Sequence, residues 1–187
     1  MQVLCNIQVF AKAMPSLFVP HFEDFFVNSS DSYQVKALKL EILSSIATYS
    51  SISAIFLEFQ DYIRDQDRRF AADTVAAIGL CSQRLPDVAK TCLEGLLALA
   101  LSESSNKNGP SADEEAVLVQ AINSIKTIIK QDPPSHEKVY FPYFLLCWSI
   151  FMHASDDIYL NLNFPDILSL SHKMCSSKKI CNVINSM

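Results

Sequence analysis

Glycine is nearly absent from this chain, which has three in 187 residues, at Gly79, Gly95 and Gly109. Hairpin turns and phosphate-cradling loops draw on glycine for positive φ and for close backbone approach, so its scarcity argues against both designs. A surplus of basic charge is also missing. The formal net charge is −5, which leaves no electrostatic footprint for a nucleic-acid backbone. GxGxxG, P-loop, GxSxG and HExxH patterns are lacking, and the four histidines stand apart from any serine or cysteine in a catalytic context. The expectation is therefore a non-enzyme with no cofactor, no nucleic-acid partner and no small-molecule substrate.

The six cysteines contain no CxxC pair, and Cys5, Cys81 and Cys92 occupy apolar helical positions. They read as small core residues of a protein from a reducing compartment. The first residues show neither a basic lead nor a small-residue cleavage pattern, so no secretory signal is expected, and Asn28-Ser29-Ser30 matches the glycosylation acceptor pattern by coincidence. In the C-terminal part, His153, His172, Cys175 and Cys181 include a His-x-x-Cys step of the kind zinc favours. Zinc modules repeat a tight ligand pair on both sides, and here the second half is irregular, so no metal site is assigned. A zinc-dependent protein stays open as a competing class, one that would require stoichiometric metal. Asp156-Asp157 reads as a helix cap or turn rather than an acid/base pair.

What the chain does have is a recurring helical-pair pattern. Val35, Leu38, Ile42, Ile46 and Tyr49 step by three and four along one helix face, and Ile52, Ile55, Phe59 and Ile63 repeat the spacing after a tight connection over 49–53. A third pair runs from an Asp67 cap through Phe70, Val75, Ile78 and Cys81, then past Pro86, suited to a first helical turn, through Val88, Cys92, Leu96 and Leu99. A further helix starts with the acids after Ala112 and continues through Leu118, Ile122, Ile125 and Ile129 to the stop at Pro133-Pro134. Ahead of these, Val3, Leu4, Ile7 and Phe10 form a core-facing stripe in a first helix over 3–14. Leu17 to Val27 then forms an aromatic-rich second helix, followed by a polar turn over 28–32.

No pair of this kind can bury its stripes alone; neighbouring pairs must shelter one another. Helix starts near Ser32, Asp67 and Asp113 are separated by roughly 35 and roughly 46 residues, within the range of HEAT and armadillo repeats. The polar stretch over 102–110, SESSNKNGP, is an elongated loop that accounts for the longer spacing. The fold class predicted is all-α, a right-handed α-solenoid of HEAT/armadillo-like helical pairs. Gly79 and Gly95 lie inside helical patterns, where close helix–helix approach is the expected compensation. The charge run DYIRDQDRR over 61–69 reads as a solvated turn with Asp61/Arg64 and Asp65/Arg69 facing one another.

The character changes after Lys138. Residues 139–154 are densely apolar and aromatic but carry Pro142 and are too short for a bilayer span, so a buried helix or docked segment is expected there. The remainder lacks a sustained period. The division is a helical-repeat trunk over 1–138 and a divergent tail over 139–187.

Three blocks in order, KALKLEILSSIA (36–47), ISAIFLEFQDYIRDQDRRFAADTVAAIG (52–79) and TCLEGLLAL (91–99), resemble the trunk of a large beta adaptin, the beta-subunit family of adaptor protein complex three. The resemblance covers about 2–138. It implies a partial trunk within a cytosolic heterotetrameric coat adaptor, whose partners are the other subunits and which meets membranes and cargo tails only indirectly. The implied place is cytoplasmic, peripheral on Golgi or endosomal membranes and coated vesicles, in protein transport toward lysosome or vacuole. The implied packing residues carry no catalytic, cofactor or metal role, so no site residue is transferred. A generic helical-repeat protein-binding scaffold outside adaptor complexes is the alternative with the same fold.

Overall fold

Apolar residues spaced by three and four favour helices, whose backbone groups pair locally, and every element among the described residues is helical. The computed structural model describes residues 2–104, 112–132 and 143. Helix α1 spans Gln2–Ala13, followed by two 3-10 segments at Pro15–Leu17 and Val19–Phe25. Then come α2 (Tyr33–Ile46), α3 (Ile52–Tyr62), α4 (Arg68–Arg84), α5 (Pro86–Ser104) and α6 (Ala112–Gln131). Helices α1, α2, α4 and α6 pack in succession as one layer. The 3-10 segments lie on α2, α3 lies on α4, and α5 lies on both α4 and α6, forming a second layer. This is the ordered stacking of helical pairs that the repeat arithmetic implies.

The core divides into two clusters that meet at α4. One contains Ile42, Leu43, Ile46, Ile55, Phe59 and Phe70. The other contains Val75, Leu93, Leu96, Ile122, Ile125 and Ile129, and takes in Tyr143, which is buried and helical and is the one described residue of the apolar stretch over 139–154. Helix α4 supplies both clusters because it is covered on both flanks, by α2 and by α6. Helix α2 is likewise flanked by α1 and α4. It therefore buries Lys36, Leu40 and Leu43 besides Ile42 and Ile46, a wider arc than the single stripe drawn from the sequence, in which Val35 and Leu38 prove half-buried.

Several expectations are corrected by the packing. The first stripe turns: Leu4, Ile7 and Ala11 face the core, whereas Val3 and Phe10 are exposed and Cys5 is exposed rather than buried. Helix α1 is the first of its layer, and α2 covers only one of its sides. Leu17 to Val27 does not form an α-helix. Pro15 and Pro20 lack the N–H that an i→i−4 ladder needs, His21 sits at φ −116° and ψ 21°, and the backbone takes 3-10 turns instead. Tyr49 is not part of the α2 stripe, because α2 ends at Ile46 and Tyr49 stands exposed in the turn, where Ser51 Oγ accepts from the Thr48 N–H at 3.1 Å. Helix α5 runs to Ser104, so the polar stretch after Leu101 begins as helix.

Asp67 caps α4, its Oδ1 accepting from the Arg69 N–H at 3.1 Å, and the Arg69 guanidinium beside it holds the carboxyl below the ordinary carboxylate range. Ser32 occupies the cap of α2 without a side-chain cap bond, and Pro86 is the first residue of α5, as its fixed φ favours.

Gly79 meets the expectation of close approach. A Cβ at that position would lie 2.7 Å from Ser124 Oγ and 2.9 Å from Ser124 Cβ on α6. Ser124 in turn donates to the Val75 carbonyl at 3.3 Å, tying α6 to α4. Gly79→Ala should therefore be destabilising by about 1 kcal/mol net: overpacking costs about 1–3 kcal/mol and alanine returns about 1 kcal/mol of helix propensity. Urea unfolding checks this, with Gly79→Ala/Ser124→Gly expected to regain stability relative to Gly79→Ala alone. A gain in stability from the single substitution would contradict the contact.

Candidate functional site

The buried hydroxyls and thiols among the described residues are committed to structure. The buried hydroxyls of Ser44, Thr74 and Ser82 donate to the carbonyls of Glu41 (3.0 Å), Phe70 (2.9 Å) and Gly79 (2.7 Å), so none is aligned with a base. Burial pushes the Cys81 and Cys92 thiols up to about 12, which leaves negligible thiolate near neutral pH. Burial likewise raises the Tyr62 phenol, whose oxygen accepts from the Val27 N–H at 2.7 Å and pins the 3-10 layer to α3. Among the described residues, no three His, Cys, Asp or Glu side chains gather into a metal-sized group, and no helix is long and apolar enough to cross a membrane. His153, His172, Cys175, Cys181 and Asp156-Asp157 lie outside the described residues.

Charged side chains act as ties between neighbouring elements. Lys36, nearly buried on α2, pairs with Asp65 beyond the end of α3, and its ammonium sits 5.3 Å from the Phe70 ring centroid. The expected Asp65/Arg69 pair is thus replaced: Asp65 turns inward to Lys36, and Arg69 pairs with Asp67 at 2.8 Å. Sequence spacing could rank only neighbours along the chain, and the partner came from another helix. The Asp61/Arg64 pair does form, at 3.5 Å and largely in solvent. Lys39 bridges Asp31 (2.8 Å) and the Phe26 carbonyl (3.1 Å), and its ammonium holds the Asp31 carboxyl below the usual range. Tyr33 donates to Asp73 at 2.9 Å, and Arg84 donates to the Ser44 carbonyl, so α2 and α4 are tied near both ends.

Between α3 and α5 lies an apolar groove of about 180 Å³. Phe56 and Ile63 form one wall, Leu96 and Leu99 the other, and Ile78 of α4 lines the groove beneath them. Gln60 and Thr91 supply polar edges. Gly95 opens the α5 side, because a Cβ placed there would meet nothing within 4 Å. Among the described residues no helix makes the close approach expected at Gly95. An interior helical glycine costs roughly 1 kcal/mol against alanine, and no packing among the described residues offsets it here. A wider, more polar cleft of about 370 Å³ lies near the first turn of α5, edged by Ser82, Gln83, Lys90 and Gln131. Its Ser82 hydroxyl already donates to the Gly79 carbonyl. The groove residues were visible in the sequence as helical apolar positions; their meeting across α3 and α5 was not. An unexplained helical glycine was the one local sign.

The comparisons with known proteins agree with this architecture. A match to the family described as Adaptin N terminal region runs over residues 2–141. The chain is 66% identical over 143 residues to the AP3-complex subunit beta-A of Arabidopsis thaliana, covering 76% of this chain and 14% of that relative. Similarity extends to the AP-3 complex subunit beta-1 of Mus musculus, 36% identical over 137 residues, covering 73% of this chain and 12% of the relative. It extends also to the AP-3 complex subunit beta of Dictyostelium discoideum, 43% identical over 103 residues, covering 54% of this chain and 9% of the relative. The chain thus spans at most 14% of the length of these relatives.

Proposed function

Because this chain belongs to the adaptin N-terminal-region family, we propose that it works as a structural trunk segment of a clathrin-adaptor-type vesicle coat complex. The supporting observation is the family match over 2–141 laid onto helices that stack in order. In this reading the segment supports the other subunits of a heterotetrameric adaptor and is not a catalyst. It meets membranes and cargo tails indirectly, peripheral on Golgi or endosomal membranes, in transport toward lysosome or vacuole. Residues 1–138 are the trunk in this proposal and 139–187 a tail.

Co-expression of the full 187-residue chain with the remaining adaptor subunits tests the reading. Co-elution in fixed stoichiometry through affinity and size-exclusion steps is the expected result. Assembly of the other subunits without this chain would overturn it, and would leave a helical-repeat scaffold with partners outside adaptor complexes.

A further inference from the structure

The lining of the α3/α5 groove and Tyr143 belong to one hydrophobic cluster. Cys92 and Leu96 are buried members of it, Phe56, Ile63, Ile78 and Leu99 pack against it, and Tyr143 is a member at 2% exposure. The chain therefore enters this cluster once more after α6, at the threshold of its most apolar segment. Residues 144–152 read FLLCWSIFM, in which Ser149 is the one polar residue and none is charged. Left in water, a run of that make-up would be an exposed patch of the kind that marks an interaction or aggregation surface, so it needs apolar cover.

Reach and shape favour the groove as that cover. A segment of this length spans about 30 Å extended and about 14 Å as a helix, against about 28 Å for the whole of α5. The groove lies in the middle of α5, between Thr91 and Leu99, within reach of a chain anchored in the same cluster. No charged residue lines it, and its volume of about 180 Å³ suits side-chain ends better than a drug-sized ligand. At Gly95 the α5 backbone is bare, with nothing among the described residues within 4 Å of where a Cβ would stand. Bare backbone lets another segment approach more closely than a side chain would permit. An occupant from the same chain has a further advantage: with Tyr143 already buried, docking of the next residues is intramolecular and loses no freedom to association.

We infer that residues 144–152 of this chain seat in the α3/α5 groove, crossing α5 at Gly95 and covering the apolar seam between the two helices. The segment starts just past the family match, which ends at 141. The seat involves this chain alone, so it stands or falls separately from the adaptor reading.

The chain's one tryptophan, Trp148, lies inside the segment and reports on it directly. The test uses the full chain as wild type, Gly95→Leu and Gly95→Ala, and reads Trp148 emission and its quenching by acrylamide, with far-UV circular dichroism and thermal unfolding of the same samples. Wild type should emit at short wavelength and resist quenching, unchanged on dilution. Gly95→Leu fills the gap on α5 and should shift the emission to longer wavelength and raise quenching several-fold, with the helical signal retained. Gly95→Ala, a single added methyl, should move both readings the same way by less, and decides the matter if leucine disturbs the fold. Solvent-like emission from the wild type would overturn the seat. So would shielding that folded Gly95→Leu leaves untouched, or Gly95→Ala where the leucine variant unfolds, since the segment would then be buried elsewhere. Shielding lost on dilution would assign the cover to a second copy and overturn it as well.

Discussion

Lys36→Ala is expected to destabilise the chain by about 3 kcal/mol, the lower end of the 3–5 kcal/mol seen when one partner of a buried ion pair is removed. The lower end applies because the Lys36 side chain is 9% exposed but that of Asp65 is 20% exposed, so water relieves part of the stranded carboxylate. The loss reaches beyond one contact. Asp65 Oδ1 also accepts from the Asp67 N–H at 2.8 Å, shaping the turn that presents the α4 cap, and the Lys36 ammonium lies over Phe70. Lys36→Met should lose nearly as much, since it keeps apolar bulk and still leaves the carboxylate alone. Lys36→Met/Asp65→Asn should recover most of the loss, because the uncompensated charge is gone. Urea unfolding of the wild type, Lys36→Met, Asp65→Asn and Lys36→Met/Asp65→Asn closes a double-mutant cycle. A single-variant loss under about 0.5 kcal/mol would place the pair with ordinary surface bridges and contradict its burial.

The second large effect belongs to Phe70, which is fully buried in the first turn of α4. Its ring lies 5.5 Å from that of Tyr62, and Tyr62 in turn holds the Val27 N–H, so one side chain joins α4, α3 and the 3-10 layer. Phe70→Ala should cost about 3–5 kcal/mol, the lost transfer energy plus the cavity left behind. Against a typical total of 5–15 kcal/mol for a domain, that is enough to bring the chain near its unfolding threshold. Phe70→Leu keeps most of the volume and should recover much of the loss. Chemical denaturation gives the magnitude, and hydrogen exchange at the Val27 amide gives the reach: Phe70→Ala should speed it, as the Tyr62 hydroxyl loses its backing. A loss below about 1 kcal/mol with unchanged exchange would mean that neighbouring helices close over the gap.

Particular residues show how far the sequence could be read. The stripe Leu118, Ile122, Ile125 and Ile129 is buried throughout, as a 3.6-residue period requires. Asp67 caps its helix and Pro86 opens the next one, because both act through local backbone geometry. The order of blocks over 36–99 was enough to point to the adaptin family. The same reading failed where the outcome depended on what lay alongside. Val3 and Phe10 have the spacing of core residues but sit on an uncovered side of α1, and Lys36 has the character of a surface residue but lies between α2, Asp65 and Phe70.

Gly79 and Gly95 carry the same contrast into the candidate site. Both are interior helical glycines, yet one meets Ser124 of α6 and the other opens a groove toward solvent. Periodicity, caps and turn residues are properties of neighbours in the chain, so sequence alone determined α2 to α6 and the repeat, though not the 3-10 turns at Val19–Phe25. Which flank of each helix is covered, which carboxylate finds Lys36 and where α3 and α5 part are set by contacts between residues far apart in sequence, and only the stacked structure decided them.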